Sequence, residues 1–313
     1  MLERLLRRGA APGWLAVELD ADRVRLAHVV ANGGQPVVEF AEEREWDPAE
    51  PKSLERAARE FGVKRFRCTT ILKPQEYHIL LVEAPAVKPE ELKAAVRWRI
   101  KDMLDYHVDD ATVDLLAVPP NPAGGERAQS MYAVAARNEV IQACIGRFDA
   151  ARIPLTVIDI PETSQRNVAA LFERDERGLA MLYLGREQGL LTINFRRELM
   201  LARRIEVGAQ ELVAASGAAR EELFQRVLLE LQRTFDHFDR QFAYVPITKL
   251  MLAPDAEETG LLEYLAANLD VPVERARLSA AIDFGSGAEL EPEQEWRLFH
   301  LIGAALRHES KAL

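Results

Sequence analysis

The sequence has 313 residues, of which 48% are hydrophobic and 29% are charged, a composition typical of a globular protein with room for one large core or two smaller ones. Its formal net charge of −10 argues against sequence-independent binding to nucleic acid, which requires a basic surface. The cysteines, Cys68 and Cys144, have no CxxC spacing and are expected to be buried thiols in a reducing cytoplasm. No histidines stand at a metal-ligand spacing, so we predict no zinc site.

No window approaches the roughly 20 apolar residues that span a bilayer, and no signal peptide is recognisable. The segment 1–13 is a basic tail in which Leu2, Leu5 and Leu6 stand among arginines. One interpretation is a turn of amphipathic helix resting on anionic lipid. We favour a frayed terminus, because a single turn buries too little surface to hold itself on a membrane.

The first half opens with a predicted meander of three strands, at Trp14–Leu19, Val24–Val30 and Pro36–Phe40. Asp20 and Asp22 lie in the turn between the first two. Helices and strands are then expected in mixed order at Ser53–Phe61, Phe66–Leu72, Tyr77–Glu83, Leu92–Met103, Thr112–Val118, Met131–Ala136, Asn138–Ala151, Leu155–Ile160 and Thr163–Phe172. A charged stretch at 173–177 is interpreted as the boundary between two halves.

The most regular helix of the first half is expected to start at Pro89, which suits a first-turn position. Leu92, Val96, Ile100 and Met103 fall on one helical stripe and predict its buried face. The opposite face is basic, and we favour a solvated face over a binding surface.

The second half opens with alternating strands in the hairpin segment Gly178–Gly208. A long helix should follow, with anchors spaced by four and three residues at Phe224, Leu228, Leu231, Phe235, Phe238 and Phe242. A strand at Lys249–Leu252 and helices at Glu257–Asn268 and Trp296–Leu306 complete the pattern. Because both halves begin with antiparallel strands and continue with helices and strands, we predict a duplicated two-lobed α/β architecture.

Three segments carry a resemblance to a known family: LLVEAPAVKPEELKAAVRWRIKDMLDYHVDDATVDLLAVP (Leu80–Pro119), LYLGREQGLLTINFRRELMLARRIEVG (Leu182–Gly208) and LLELQRTFDHFDRQFAYVPITKLMLAP (Leu228–Pro254). Together they resemble the PilM-like proteins of type IV pilus assembly, which are actin-like and related to the cell-division protein FtsA. Within that family the wording is most similar to the MshI proteins of MSHA pilus biogenesis. The resemblance extends from about Trp14 to Arg307.

This resemblance implies an α/β, two-lobed actin-like fold, a duplicated ribonuclease H-like arrangement with a small α+β subdomain inserted in the first lobe. The first lobe would cover 14–177 with the insertion at about 85–151. The second lobe would cover 178–313, with a C-terminal helix at about 292–308 packing back toward the first lobe.

The family further implies a cytoplasmic protein, peripheral to the inner membrane, that captures the N-terminal cytoplasmic tail of a bitopic membrane partner, PilN in the family. The tail would lie in a groove beside the inserted subdomain, next to the strand Tyr77–Val82. Tyr77, Ile79 and Leu81 are the expected contacts, and membrane contact would be indirect.

Actin-like ATPases carry an Asp-x-Gly hairpin in each lobe, where the carboxylate positions Mg²⁺ or water and the glycine lets backbone N–H groups approach phosphate. Here Glu18 stands at the first Asp position and Asp20 at its Gly position, while Tyr183 replaces the second Asp and Gly185 is kept. Near the adenosine position, Ala253 and the following proline replace a usual glycine pair. The resemblance therefore predicts a vestigial nucleotide cleft, with no cofactor and with ATP and Mg²⁺ disfavoured.

No competing catalytic motif of the GxSxG, Walker A or HExxH kind is present in the sequence. Arg203 and Arg204, at the hairpin end, are expected to pair with Glu206 or another acid. The alternative function is an active ATPase or phosphotransferase of the actin and sugar-kinase superfamily, in which Glu18 or Asp20 would bind the metal. A general adaptor unrelated to pili remains a third hypothesis.

Overall fold

A computed structural model describes residues 11–31, 33–47, 49–50, 52–120, 129–174, 177–285 and 290–308 of the chain. Most of the predicted basic tail, part of the Pro- and Gly-rich connection after Val118 and part of the charged boundary at 173–177 lie outside the described residues.

The secondary-structure elements of the first half are β1 (Trp14–Leu19), β2 (Arg23–Val30), β3 (Val37–Glu45), α1 (Ser53–Glu60), β4 (Arg67–Ile71), β5 (Tyr77–Glu83), α2 (Pro89–Ile100), β6 (Ala111–Ala117), β7 (Ser130–Arg137), α3 (Asn138–Ala150), β8 (Leu155–Asp159) and α4 (Pro161–Ala169). Those of the second half are β9 (Gly178–Leu184), β10 (Gly189–Phe195), β11 (Glu198–Ile205), α5 (Ala209–Ala214), α6 (Gly217–Gln241), β12 (Ile247–Leu252), α7 (Leu261–Asn268), β13 (Val273–Arg275) and α8 (Pro292–Ala305).

The two halves contain five-stranded sheets of the same design. The first has the strand order β3-β2-β1-β4-β8 and the second has the order β11-β10-β9-β12-β13. In each sheet the first three strands form an antiparallel meander. The first strand of that meander also pairs in parallel with a later strand of the chain. This repeated topology confirms the duplicated α/β architecture expected from the sequence.

The central strands β1, β9 and β10 are buried along nearly their whole length because helices cover the faces of both sheets. Every residue of β10 is buried, although its sequence alternates in part. On the outer face of the second sheet, α6 packs through the predicted aromatic stripe, of which Leu231 and Phe238 are fully buried. The predicted long helix is divided into α5 and α6, because Ala215 and Ser216 have extended backbone.

The inner face of each five-stranded sheet is covered by a helix from the other half of the chain. Helix α4, from the first half of the chain, packs on β9, β10 and β11 of the second sheet, while α8, at the end of the second half, packs on β1, β2 and β4 of the first. The two helices cross each other and share one apolar core with both sheets. At the crossing, Asn167 donates a hydrogen bond to the carbonyl oxygen of Gly303 at 2.9 Å.

A third, antiparallel sheet with the order β5-β7-β6 lies beside the first. Helix α2 covers one of its faces, with Val96 and Ile100 fully buried. This sheet begins at Tyr77 rather than near residue 85, and α3 packs on both sheets. Its Cys144 and Phe148 belong to the core of the first five-stranded sheet, while Val140 and Ile141 pack against the cluster that contains Tyr77 and Ala136 of the small one. The boundaries expected for the insertion, about 85–151, stay a prediction. Met103, predicted on the buried stripe, is exposed because α2 ends at Ile100.

The helix crossing gives a stability prediction. A Cβ at Gly303 would lie 2.3 Å from the carbonyl oxygen of Ser164, so Gly303→Ala must push α4 and α8 apart. We expect it to lower the free energy of unfolding by about 1–3 kcal/mol. Gly146 in α3 has no heavy atom near its Cβ direction, so Gly146→Ala should instead stabilise by about 0.5–1 kcal/mol. Urea denaturation of both variants measures the difference, and equal effects would contradict the close crossing.

Candidate functional site

A cleft of about 450 Å³ lies between the β1–β2 hairpin and the β9–β10 hairpin, next to the crossing of α4 and α8. The β1–β2 hairpin contributes Glu18, and the turn between β9 and β10 contributes Gly185 and Gln188. Other walls come from the β4–β5 loop, the start of β5, strands β9 and β11, the start of α4 and the side of α8. Their residues include Lys73, Tyr77, Glu162, Tyr183, Arg204, Arg297 and His300. Glu18, Tyr183 and Gly185, which the sequence analysis predicted for a cleft, are among the residues that line this one.

Arg25, on β2, forms ion pairs with three carboxylates in and beside the β1–β2 hairpin. Its Nη1 lies 2.9 Å from Glu18 Oε2 and 2.7 Å from Asp20 Oδ2, and its Nε lies 2.5 Å from Glu43 Oε2. The register places Glu18 opposite Arg25 across β1 and β2, and Arg25 opposite Glu43 across β2 and β3. Counting residues from the predicted turn could have revealed this cross-strand row, although the sequence analysis did not.

The carboxyl groups that share Arg25 have opposite pKa shifts. Burial raises the pKa of Glu18 above its usual range, despite the hydrogen bond and positive charge of Arg25. Burial also acts to raise the pKa of Asp20, but the hydrogen bond from Arg25 and the charge of Lys73, 3.3 Å away, leave it lowered. The negative charge of this hairpin is therefore already balanced by cations of the chain itself.

Tyr183, at the end of β9, is held by α8. Its ring stacks on Phe299 with centroids 5.2 Å apart and planes 9° apart, and its hydroxyl donates to the carbonyl oxygen of Trp296 at 3.2 Å. The indole N–H of Trp296 donates in turn to the carbonyl oxygen of Leu184 at 2.7 Å. Burial raises the pKa of the Tyr183 hydroxyl, so this side chain stays neutral and fixed between the lobes.

Gly185 serves the hairpin turn in which it lies. Its N–H donates to the carbonyl oxygen of Gln188 at 3.0 Å, and its carbonyl accepts from the N–H of Ala209 at 2.8 Å. A Cβ at Gly185 would lie 2.9 Å from that Gln188 oxygen, so the turn itself requires glycine here. The kept glycine thus has a structural role in the turn.

Ala253 does not line the cleft. It is buried, its N–H donates to the carbonyl oxygen of Leu182 at 2.8 Å, and the next residue, Pro254, borders a separate groove of about 700 Å³. Of the five residues predicted for the vestigial cleft, the structure therefore brings Glu18, Tyr183 and Gly185 to its wall. Asp20 is joined to it through Arg25.

The sequence analysis missed a buried polar cluster at the cleft. The Tyr77 hydroxyl donates a hydrogen bond to Glu162, whose side chain is 1% exposed, and Arg204 Nη2 lies 3.9 Å from Glu162 Oε1. The Arg204 guanidinium also covers the Tyr77 ring at 5.2 Å. Burial raises the pKa of both Glu162 and Tyr77. Pro161 could have revealed the position of Glu162, because proline favours the first turn of a helix and α4 begins at Pro161 rather than at the predicted Thr163.

A second buried chain of hydrogen bonds ties α4 to α8 and to the second sheet. His300 Nε2 lies 3.2 Å from Gln165 Oε1, and Gln165 Nε2 donates to the carbonyl oxygens of Met181 at 2.8 Å and Leu190 at 3.1 Å. Burial lowers the pKa of His300 to about 3, so the ring is neutral and its Nε2–H can donate to the amide.

The predicted partner-binding residues have three different environments on β5. Tyr77 is buried in the cluster just described, Ile79 is partly buried against the cores beside the small sheet, and Leu81 is 40% exposed. Within the described ranges β5 pairs only with β7, so it is an edge strand of the small sheet.

Among the described residues, no group of three or more His, Cys, Asp or Glu side chains could hold a metal ion. The same part of the chain contains no helix long and apolar enough to cross a membrane.

No protein-family profile matches the chain, and no curated protein matches it in sequence. Among solved structures, one described as the PilM-PilN type IV pilus biogenesis complex aligns with a TM-score of 0.68 over 94% of this chain and 98% of that chain, at 20% identity. A Bacteroides thetaiotaomicron protein, described as having an actin-like ATPase fold and unknown function, aligns with a TM-score of 0.50 over 87% and 92%, at 10% identity. The chain therefore has the actin-like fold, as the sequence predicted.

The charge cluster around Arg25 gives a second prediction. Arg25→Met keeps the aliphatic stem but leaves three carboxylates facing one another, so we expect a loss of about 1–3 kcal/mol in unfolding free energy. Arg23→Met is the matched control, because Arg23 pairs with Glu43 and Glu45 at a more exposed position and should cost less than about 1 kcal/mol. Chemical denaturation at low salt measures both, and similar small losses would show that Arg25 is an ordinary surface partner.

The Tyr77–Glu162 hydrogen bond gives a third prediction. Tyr77→Phe leaves a buried carboxyl without its hydroxyl donor and should cost about 1–3 kcal/mol. Because the pKa of Glu162 is raised on folding, its contribution is most favourable below the unfolded pKa of about 4.3 and declines as pH rises through the folded pKa.

Glu162→Gln, which can still accept the Tyr77 hydrogen bond, should therefore gain stability relative to the unmodified chain as pH rises from 4 toward neutrality, about the range in which an ordinary glutamate ionises. Unfolding free energies measured across that range test this sign. A pH-independent difference would contradict the buried charge.

Proposed function

We propose that the chain is a cytoplasmic scaffold of a type IV pilus assembly platform, PilM-like and of the MSHA (MshI) kind, peripheral to the inner membrane. The observation that carries the proposal is the correspondence of fold along nearly the whole chain with the PilM-PilN structure, together with the three similar sequence segments. The acidic net charge fits this protein-binding role better than a nucleic-acid partner.

The proposed partner is a PilN-like bitopic inner-membrane protein, bound through its N-terminal cytoplasmic tail, so that membrane contact is indirect. The edge position of β5 supports this, because an extended peptide can add to such an edge by backbone hydrogen bonds while a few side chains give specificity. Leu81 offers the exposed apolar contact on this strand. Tyr77 and Ile79 would act by holding the strand in place.

The scaffold is proposed to act without ATP hydrolysis. A Mg²⁺ ion at Glu18 or Asp20 would have to displace Arg25, which already bonds both carboxylates, and phosphate would meet Asp20 where a glycine is needed. At the second hairpin the fixed Tyr183 ring stands in place of a metal- or water-positioning carboxylate. These residues fit a nucleotide poorly, so we expect no cofactor.

The alternative is an active ATPase or phosphotransferase with noncanonical phosphate loops. It is favoured by the open volume of the cleft and by Lys73, Arg186 and Arg204 along its walls, which could face an anion.

Partner binding is tested with a synthetic peptide of the N-terminal tail of a co-encoded bitopic pilus protein. Leu81→Asp should weaken binding by about tenfold or more, because it places a charge on the apolar contact beside the edge strand. Leu229→Asp is the matched control, since Leu229 is also exposed, at 45%, but lies on α6. Calorimetric titration measures both affinities. Equal binding by the two variants would place the contact elsewhere, and no binding by the unmodified chain would contradict the proposed partner.

The ATPase alternative predicts phosphate release from ATP that Glu18→Ala and Asp20→Ala abolish without unfolding the protein. The scaffold proposal predicts no turnover above the buffer rate in the unmodified chain, because Arg25 already bonds Glu18 and Asp20 and Tyr183 stands where the second carboxylate would be. A steady-state phosphate assay distinguishes the two.

A further inference from the structure

The small sheet touches the second half of the chain away from the helix crossing. The hydroxyl of Tyr132, on β7, donates a hydrogen bond to the carbonyl oxygen of Met200 at 3.3 Å and accepts one from the N–H of Ala202 at 3.2 Å. Met200 and Ala202 lie on β11, 68 and 70 positions further along the chain. This pair of hydrogen bonds is called here the Tyr132 latch.

Strand β11 offers free backbone groups at this point. Within the described ranges it pairs only with β10, so it is an edge strand of the second sheet. Met200 is the extra residue of a β-bulge, because Leu199 and Leu201 lie opposite consecutive residues of β10. A phenol hydroxyl is both a donor and an acceptor, so Tyr132 can satisfy a carbonyl and an N–H of the bulged strand together.

The Tyr132 latch is buried and uncharged. The Tyr132 side chain is 4% exposed, and burial raises the pKa of its hydroxyl to about 12, so the hydroxyl keeps its proton at neutral pH. A buried hydroxyl that lost its partners without reaching water would carry the cost of an unsatisfied polar group. The two hydrogen bonds therefore favour one position of the small sheet against β11.

Other contacts accompany the latch on both sides. Arg204, two positions after Ala202 on β11, covers the ring of Tyr77 at the start of β5, and both side chains line the cleft. The Tyr244 hydroxyl, just before β12, donates to the carbonyl oxygen of Pro119, just after β6, at 3.4 Å. The small sheet thus meets the second half through β5, β7 and the end of β6.

The opposite end of the small sheet belongs to the first half. Tyr77 and Ala136, on β5 and β7, share a buried cluster with Leu72 and Ile160, which follow β4 and β8 of the first sheet. The small sheet therefore runs from the first sheet to the edge of the second, along one wall of the cleft. It is a second connection between the halves, in addition to the crossing of α4 and α8.

This second connection is the weaker one. Ile79 and Leu116 are only partly buried where the small sheet packs against the core of the second sheet, whereas Phe299 and Ile302 at the helix crossing are fully buried. A contact that buries less apolar surface opens at a lower free energy. We propose that the small sheet is a releasable strap held by the Tyr132 latch, and that its release lets the halves rotate about the α4–α8 crossing and widens the cleft.

The strap also reaches the strand proposed to bind the partner. Tyr132 lies directly opposite Leu81 of β5 and Leu116 of β6, so the three side chains are neighbours on one face of the small sheet. A peptide added beside Leu81 packs near a ring whose position the latch fixes, so peptide binding and latch closure favour each other. This coupling rests on the proposed function, whereas the strap does not.

The first test measures the distance between the small sheet and the second half. Trp98→Cys on α2 and Leu229→Cys on α6 place nitroxide labels at exposed positions. The native thiols Cys68 and Cys144 are buried and have raised pKa values, so they react slowly with the label. Double electron–electron resonance should give one narrow distance distribution with the latch intact. Tyr132→Phe, which keeps the ring, should add a longer-distance population.

Tyr106→Phe is the matched control for this measurement. Tyr106 packs in the core between the small sheet and α2, and its hydroxyl has no hydrogen-bond partner in the described part of the chain. Its removal should leave the distance distribution unchanged. A Tyr132→Phe chain with the same distribution as the control and the unmodified chain overturns the strap.

A second variant releases the strap at its other contact. Tyr244→Phe removes the hydrogen bond to Pro119 and should add a smaller longer-distance population, because Tyr132 still holds β11. Tyr132→Phe combined with Tyr244→Phe should give the largest longer-distance population, since both contacts resist the same motion. A combined variant that keeps the single narrow distribution, while still folded by circular dichroism, overturns the proposal.

The last test addresses the coupling with the synthetic tail peptide of the co-encoded pilus protein. Tyr132→Phe should bind the peptide about threefold or more weakly than Tyr106→Phe in calorimetric titration, and the peptide should reduce the longer-distance population of labelled Tyr132→Phe. Equal affinities overturn the coupling. A peptide that binds no variant and not the unmodified chain contradicts the proposed partner and the coupling with it, while the distances measured without peptide still decide the strap.

Discussion

The crossing of α4 and α8 is the constraint on which the rest of the molecule depends. Each helix packs on the sheet of the other half, so neither sheet has a complete inner core without the partner half. Gly303 allows the two backbones to meet, and the hydrogen bonds of Asn167 and His300 fix their register. The β1–β2 hairpin and the β9–β10 hairpin then face each other at one end of this crossing.

The chemistry of the facing hairpins follows from that geometry. The resemblance to actin-like ATPases predicts a nucleotide with its metal at this place. Here Arg25 binds the acidic residues of the first hairpin, and Tyr183 of the second is bonded to α8. Side chains of the chain thus engage both hairpins through contacts within each half, at the place where the resemblance expects a nucleotide, which is the physical basis for proposing a scaffold.

The sequence predicted the strands and helices whose hydrophobic residues recur at regular spacing. The antiparallel strands and α6, with its aromatic stripe, follow from alternation and from helical spacing, and their repeat in the two halves predicted the duplicated fold. Contacts between distant residues were not predictable in the same way. Tyr77 and Glu162 lie 85 positions apart and meet only because β5 and α4 converge at the cleft.

Small boundary shifts also changed the predicted site. Helix α4 starts at Pro161, which places Glu162 inside the first turn and at the cleft wall. Helix α2 ends at Ile100, which leaves Met103 exposed just beyond it. Arg196 and Arg197 adopt positive φ angles of 53° and 65° in the tight β10–β11 turn, a conformation that sequence alone assigns to glycine or asparagine.

The central proposal is that the chain's own side chains engage both hairpins of the cleft and that the cleft binds no nucleotide. The most direct test is the melting temperature of the unmodified chain with millimolar Mg-ATP, compared with the same concentration of magnesium chloride. A nucleotide present at about 100 times its dissociation constant would stabilise the fold by roughly 2.7 kcal/mol. The account predicts no difference between the two conditions, and a clear upward shift with Mg-ATP would contradict it.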